Sequence, residues 1–326
     1  MNVLVTGASS MIGRQVVAAL VARGDSVTTL QRNRSEALGQ RVTQVLGSVD
    51  DADRLRAACD GNDAVIHLAA KVGVTGTWED YEHTNVQGTA LLIEHARSAG
   101  ASAFVYVSSP AVAHAGSALV GAAAEPADPA QTRGHYATSK AIAELAALDA
   151  SSNSMPVAAI RPHLVWGPGD TQLVGRIVER ARHGRLALVG SGAALIDTTY
   201  VDNAADALIA ALDRAAGLAG QALVVSNGEP RTVHELVMRI LAAAGVDWSP
   251  RSVPVPIAKG GGSIAERIWD RTGRTDDPPM TSFLAEQLST AHWFDQRGTR
   301  EALGWQPTVS LDEGFDRLAE WFSVER

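Results

Sequence analysis

The chain has 326 residues, a net charge of −8 and 46% hydrophobic residues, enough apolar material for one large or two medium domains. The acidic balance excludes nucleic acid and an anionic membrane surface as main partners. The lone Cys59 excludes an internal disulfide and fits a reducing cytoplasm; no signal peptide is expected at Met1, and no run of about 18 apolar residues offers a membrane span.

Short β-branched runs at Val3-Leu4-Val5, 27–30, 42–46, 64–68, 104–107 and 157–160 predict buried strands. Helical spacing lies between them, at 12–22, 51–59, 84–99 and 135–150. This alternation predicts an α/β fold, a Rossmann-type doubly wound parallel sheet with helices on both faces. Beyond Trp166-Gly167-Pro168-Gly169 the pattern loosens into helices with a few extended pieces, a smaller mixed α/β substrate-binding cap. The expected division is therefore a dinucleotide-binding domain over 1–165 and a cap over 166–326, with a strand near 222–226 returning to the main sheet. Asp202 is expected to cap a helix running to Leu212. A helix is expected over 263–271, with Ile264, Ile268 and Trp269 on one face and Phe283, Leu284 and Leu288 following; ordinary packing is one reading of this pattern.

Three stretches carry chemistry. Val3 to Gly13 reads as strand, glycine turn and helix start: Gly7 permits a sharp turn, Gly13 lets helix approach strand, and the exposed amides of the helix N-terminus suit a pyrophosphate. At the end of the second strand, Leu30-Gln31-Arg32-Asn33-Arg34 offers no carboxylate for a ribose hydroxyl. Arg32 and Arg34 suit a 2'-phosphate instead, which favours NADP over NAD. Tyr136 and Lys140 stand one helical turn apart, so a cation about 4 to 5 Å from the phenol would favour phenolate and let Tyr136 act as general acid and base. The histidines and single cysteine form no metal-ligand spacing, and no Gly-x-Ser-x-Gly elbow occurs, which argues against zinc and acyl-serine chemistry.

Together these stretches resemble the extended short-chain dehydrogenase/reductases. Gly7-x-x-Ser10-x-x-Gly13 is similar to their glycine signature, with Ser10 in place of the middle glycine; its hydroxyl would donate to a phosphate. Tyr136-x-x-x-Lys140 is similar to their catalytic pair, and His67-Leu68-Ala69-Ala70 to their fourth-strand motif. Segments 160–170, 199–205, 226–230 and 303–307 resemble the 3β-hydroxysteroid dehydrogenase-like branch, in particular its bacterial 2-alkyl-3-oxoalkanoate reductases. The resemblance implies Ser109 as third catalytic residue, with Ser108 as the alternative, and gives Lys140 the tasks of lowering the Tyr136 pKa and holding the nicotinamide ribose.

It further implies cofactor contacts at Gly7, Ser9, Ser10, Met11, Ile12, Gly13, Arg32 and Arg34. Others follow at Ser48 and Val49 (where Ser48 replaces an expected Asp), Leu68, Ala69, Ala70, Lys71, Val107, Tyr136, Lys140, Pro162 and Leu164. Asn85 matches a helix-four asparagine. Candidate substrate contacts are Lys71, Trp78, Tyr81, Pro110, His114, His135, His163 and Tyr200. For the helix over 263–271 and the apolar residues after it, the resemblance implies a lid over an apolar substrate. The implied activity is NADP(H)-dependent interconversion of a secondary alcohol and a ketone on a bulky apolar substrate. The alternatives are a sugar-nucleotide epimerase or dehydratase, against which Pro110-Ala111 stands where dehydratases carry an acidic pair, and a nucleotide-sensing protein without turnover. A homodimer is expected through helices 84–99 and 135–150, with Leu92, Ala96, Leu145 and Leu148 on the shared face.

Overall fold

The computed structural model describes residues 1–73, 75–113, 118–272, 278 and 280–324. The β-branched runs form seven strands: β1 (Asn2–Thr6), β2 (Ser26–Gln31), β3 (Val42–Leu46), β4 (Ala64–His67), β5 (Ala103–Val107), β6 (Val157–Pro162) and β7 (Ala222–Val225). All pair in parallel, in the order β7-β6-β5-β4-β1-β2-β3. Strands covered on both faces must be apolar throughout rather than alternating, and β4, β5 and β6 are buried along their whole length. This is the Rossmann-type sheet expected from the alternation, and β7 returns to it from late in the chain.

The helices used below are α1 (Met11–Arg23), α2 (Ala52–Cys59), α3 (Gly88–Ser98), α4 (Gly134–Asp149) and α5 (Val174–Arg182). They continue with α6 (Val201–Asp213), α7 (Val233–Ala243), α8 (Val255–Thr272), α9 (Ser282–Gln287) and α10 (Leu311–Val324). On one sheet face α1 and α6 bury Val16, Leu20, Leu208 and Leu212. On the other, α2, α3 and α4 bury Leu55, Leu92, Ala96 and Ala143. Leu92 and Ala96 are therefore core residues and cannot form the expected partner face; of that set Leu145 stays exposed. The strand order reverses between β1 and β4, which opens a crevice at the carboxyl ends of the strands.

Past β6 a third core gathers Trp166, Tyr200, Val237, Ile240 and Phe315. A small four-stranded sheet joins it, with Leu195–Ile196 between Arg231–Thr232 and His292–Phe294, and Leu119–Ala122 from the first half of the chain at its edge. Two local expectations need correction. The cap position of α6 is Tyr200, held extended by its N–H to Asn227 Oδ1 at 3.0 Å; Asp202 lies inside the first turn and pairs with Arg317 at 2.8 Å instead. Helix α8 begins eight residues before Ser263 and runs through Gly260-Gly261-Gly262, because Gly262 lets the backbone at 281–282 approach to where a Cβ would lie 2.5 Å from Ser282 N. Its Ile257, Ile264 and Ile268 are 64%, 59% and 48% exposed, so this face looks outward rather than onto a substrate. Among the described residues no helix is long and apolar enough to cross a membrane.

Candidate active site

The turn from β1 into α1 is built for close approach. Gly7 has φ +69°, and a Cβ there would lie 2.7 Å from Ala69 N; a Cβ on Gly13 would lie 2.4 Å from Gly7 O. Only glycine fits either position. Ser10 is the N-cap, its hydroxyl accepting from Gly13 N at 3.0 Å, so the side chain folds back onto the helix and keeps its O–H proton for another acceptor. The Met11 and Ile12 amides are first-turn donors without intrahelical partners, and Ser9 and Ser10 are exposed beside them. A glycine floor, free first-turn amides and exposed hydroxyls fit a dinucleotide pyrophosphate.

Arg32 and Arg34 follow the end of β2 and are both exposed. Ser48 is half-buried, with its side chain near enough to the Asp50 carboxylate to help hold it below its ordinary value, while Val49 is buried. Leu68, Ala69 and Ala70 leave the end of β4 half-buried along the crevice. The Lys71 backbone is clamped by Asn85, which accepts from its N–H at 2.7 Å and donates to its C=O at 3.0 Å; Asn85 also donates to Ser139 on α4 at 2.9 Å. Asn85 thus ties the crevice wall to the helix that carries Tyr136.

The first residue of the fourth-strand motif lies behind this wall. His67 is fully buried, and burial, then the nearby Lys140 charge, pushes it down to about 3, so it is neutral. Thr89 donates its own proton to Asn85 O at 2.6 Å and so must accept from His67 Nε2 at 3.0 Å, which leaves His67 Nδ1 to accept from Thr6 at 2.6 Å. This one-way chain fixes the floor of β1 against the segment holding Asn85.

Tyr136 and Ser109 neighbour each other, close enough for the Ser109 hydroxyl to favour the phenolate, and both are partly exposed. Ser108, the alternative, is buried and its hydroxyl has no partner among the described residues. Lys140 is 2% exposed; its Nζ donates to Val107 O at 2.7 Å and sits 4.1 Å from the centroid of the Tyr106 ring. Burial pushes this amine down to about 7 against the pull of Glu144. The expected lowering of Tyr136 is overturned: burial holds the phenol above its ordinary value, opposed by the Ser109 hydroxyl. The reason is that desolvation penalises phenolate and ammonium alike, and the weakened Lys140 charge is directed at Val107 and Tyr106. Glu144, one turn beyond Lys140, is itself buried in a bidentate pair with Arg161, at 2.9 and 2.5 Å.

Ser109 also stands in the wall of a cavity of about 280 Å³ that runs under α5, α7 and α9. The wall is almost wholly apolar: Pro110, Leu119, Leu164, Trp166, Ile177, Ile196, Leu236, Val237, Ile240, Phe283, Leu284 and Leu288, with Phe294. Of the expected substrate contacts, Pro110 and His163 line it, as do the expected cofactor contacts Pro162 and Leu164. Leu164 has φ 43°, a strained conformation for a branched side chain. His163 packs edge-on against Phe294 and His292, with centroids at 5.0 and 5.4 Å. Trp78, Tyr81 and His135 form a separate aromatic group, with Lys71 5.2 Å above Tyr81. Tyr200 is buried edge-on against Trp166 in the third core, behind the cavity wall rather than in it. His114 lies outside the described residues.

The model of the 3-beta hydroxysteroid dehydrogenase/isomerase family matches residues 4–255. The chain belongs to this family. Among its relatives is the 2-alkyl-3-oxoalkanoate reductase of Stenotrophomonas maltophilia, 41% identical over 98% of both chains. The 3 beta-hydroxysteroid dehydrogenase/Delta 5-->4-isomerase of Mycobacterium tuberculosis is 28% identical over 98% of this chain and 90% of its own. A solved dTDP-glucose 4,6-dehydratase from Streptomyces venezuelae, with NAD bound, superposes with a TM-score of 0.76 at 27% identity, covering 99% of this chain and 97% of that one. The wall residues that the sequence did not single out, Ile177, Leu236 and Ile240, come from helices of the second half, whereas Phe283, Leu284 and Leu288 belong to the region expected to cover the substrate.

Proposed function

We propose that this chain is an NAD(P)-dependent oxidoreductase interconverting a secondary alcohol and a ketone on a bulky, largely apolar substrate of the β-keto acid or 3β-hydroxysteroid kind, with NADP(H) preferred. The observation that carries this is the juxtaposition of the neighbouring Ser109 and Tyr136 with an apolar cavity that Ser109 itself lines. No charged side chain is among the described lining residues, which suits alkyl chains or fused rings and suits a sugar nucleotide poorly. The relatives' names point the same way.

The glycine turn at 7–13 would hold the pyrophosphate, Arg32 and Arg34 the second phosphate, and Lys140 the nicotinamide ribose. When bound, the reduced nicotinamide supplies the hydride to the carbonyl carbon. The Ser109 hydroxyl donates to the ketone oxygen and aligns it, and the Tyr136 O–H delivers the proton that completes the alcohol. A phenol held above its ordinary value keeps that proton at neutral pH until a developing alkoxide calls for it.

We place the protein in the cytoplasm on its single, buried Cys59. We assign it a homodimer in which α4 presents Leu145. The deciding experiment measures NADPH and NADH oxidation against steroid, β-keto acid and sugar-nucleotide panels. Turnover is expected with β-keto acids or ketosteroids; turnover confined to sugar nucleotides, or none in any panel, would overturn the reading.

A further inference from the structure

We propose that Tyr106 is a positioning residue: the face of its ring, with the Val107 carbonyl, holds the Lys140 amine as a cation, and its hydroxyl is dispensable for that task. The proposal rests on the function given above only in taking this cation to serve Tyr136.

The Lys140 Nζ lies 4.1 Å from the Tyr106 centroid and 2.7 Å from Val107 O, and the two residues are 2% and 0% exposed. An ammonium shut away from water needs replacements for its hydration, and the negative face of an aromatic ring is one. Among the described residues the Tyr106 hydroxyl has no hydrogen-bond partner although it is buried. Buried tyrosines usually find one, and leaving it unmade costs stability that phenylalanine would not lose. The ring, not the phenol, is therefore the part of Tyr106 with a task.

The other titratable groups around the amine do not replace it. His67 approaches from β4 and is neutral. Tyr136 stands on the same helix with its phenol protonated. Glu144, one turn on, is held by the Nε and Nη2 of Arg161 from β6, so its pull on Lys140 is shared with an opposite charge. The face of a desolvated ring shifts an amine by about one pKa unit. With burial holding Lys140 near 7, that unit decides whether the amine is mostly charged or mostly neutral where the enzyme works.

The test uses the full chain labelled with 15N in its three lysines, Lys71, Lys140 and Lys259, whose Nζ signals can be assigned by Lys71→Arg and Lys259→Arg. Tyr106→Phe should leave the Lys140 midpoint within a few tenths of a unit and the melting temperature unchanged or higher. Phenylalanines with progressively more ring fluorines at 106 keep the volume and drain the negative face. They should lower the midpoint stepwise, by about one unit at full fluorination, and the pH profile of ketone reduction should move with it. A midpoint constant across the fluorinated series, in proteins that melt normally, would overturn the proposal and leave Tyr106 a core residue only. A midpoint that falls stepwise in a protein inert toward every ketone would support this placement while removing the enzymatic reading.

Discussion

Around Lys140 the chain buries polar groups and satisfies most of them, through Val107, the Tyr106 ring, Asn85, Ser139 and the Glu144–Arg161 pair, leaving the Ser108 and Tyr106 hydroxyls without a partner among the described residues. The cavity under α5, α7 and α9 buries almost none: its wall is Ile, Leu, Val and Phe held by shape. In the first region the residue type is dictated by the proton or charge it must handle, so one altered atom matters. In the second, volume is what counts, and a changed side chain should alter which substrates fit rather than whether chemistry occurs.

The largest expected effect falls on the first region. Tyr136→Phe removes the transferable proton while keeping the ring, so ketone reduction should drop roughly 10²- to 10⁴-fold. Nucleotide binding, read by fluorescence titration, should stay within about twofold. Near-wild-type turnover in this variant would erase the distinction between the regions.

Lys140→Met tests the same region through stability. Burial depresses the amine from 10.5 to about 7, so between those values the unfolded chain holds a proton that the folded chain lacks. Wild-type stability therefore rises with pH across that window, and below about 7 the folded state carries the full cost, roughly 1.4 kcal/mol for each pKa unit. The variant has no such cost. Its stability relative to wild type, from urea titrations, should be highest near pH 6 and decline toward pH 10. A difference independent of pH would mean that the amine is not desolvated.

Ile177→Phe probes the cavity. The added ring takes up space on a wall that Ser109 shares, so kcat/KM for a long-chain substrate should fall about tenfold while a short ketone is reduced at close to the original rate. Equal losses on both would show that the wall acts on the chemistry rather than on fit.

The two regions also differed in how well they could be read in advance. Gly7, Gly13, Tyr136 and Lys140 were legible because few residue types can do their work and local geometry sets their spacing, and the seven-strand sheet followed from apolar runs that only a two-sided burial explains. Leu236, Val237 and Ile240 were not, since a cavity wall and a packed core ask for the same stripe on a helix. Tyr200 was misplaced because Gly314, over a hundred residues away, leaves room for its ring; a Cβ there would lie 2.7 Å from Tyr200 Cδ2. The upward shift of Tyr136 and the ring under Lys140 depend on how deeply α4 settles on β5, which spacing within the helix does not reveal.

The smallest expected effect belongs to Arg32, at the open rim of the crevice. It is exposed after the end of β2, so a contact to a second phosphate would be made in water and screened by salt. Arg32→Ala should therefore raise KM for NADPH about three- to tenfold at low ionic strength while leaving NADH within about twofold. At 0.5 M salt the gap between the two nucleotides should narrow, with a Debye length of only about 4 Å. The Ile177→Phe effect, on a wall without charge, should not respond to salt in this way. If NADPH and NADH weaken together in Arg32→Ala, the guanidinium meets something common to both, and the preference for the second phosphate passes to Arg34 or does not exist.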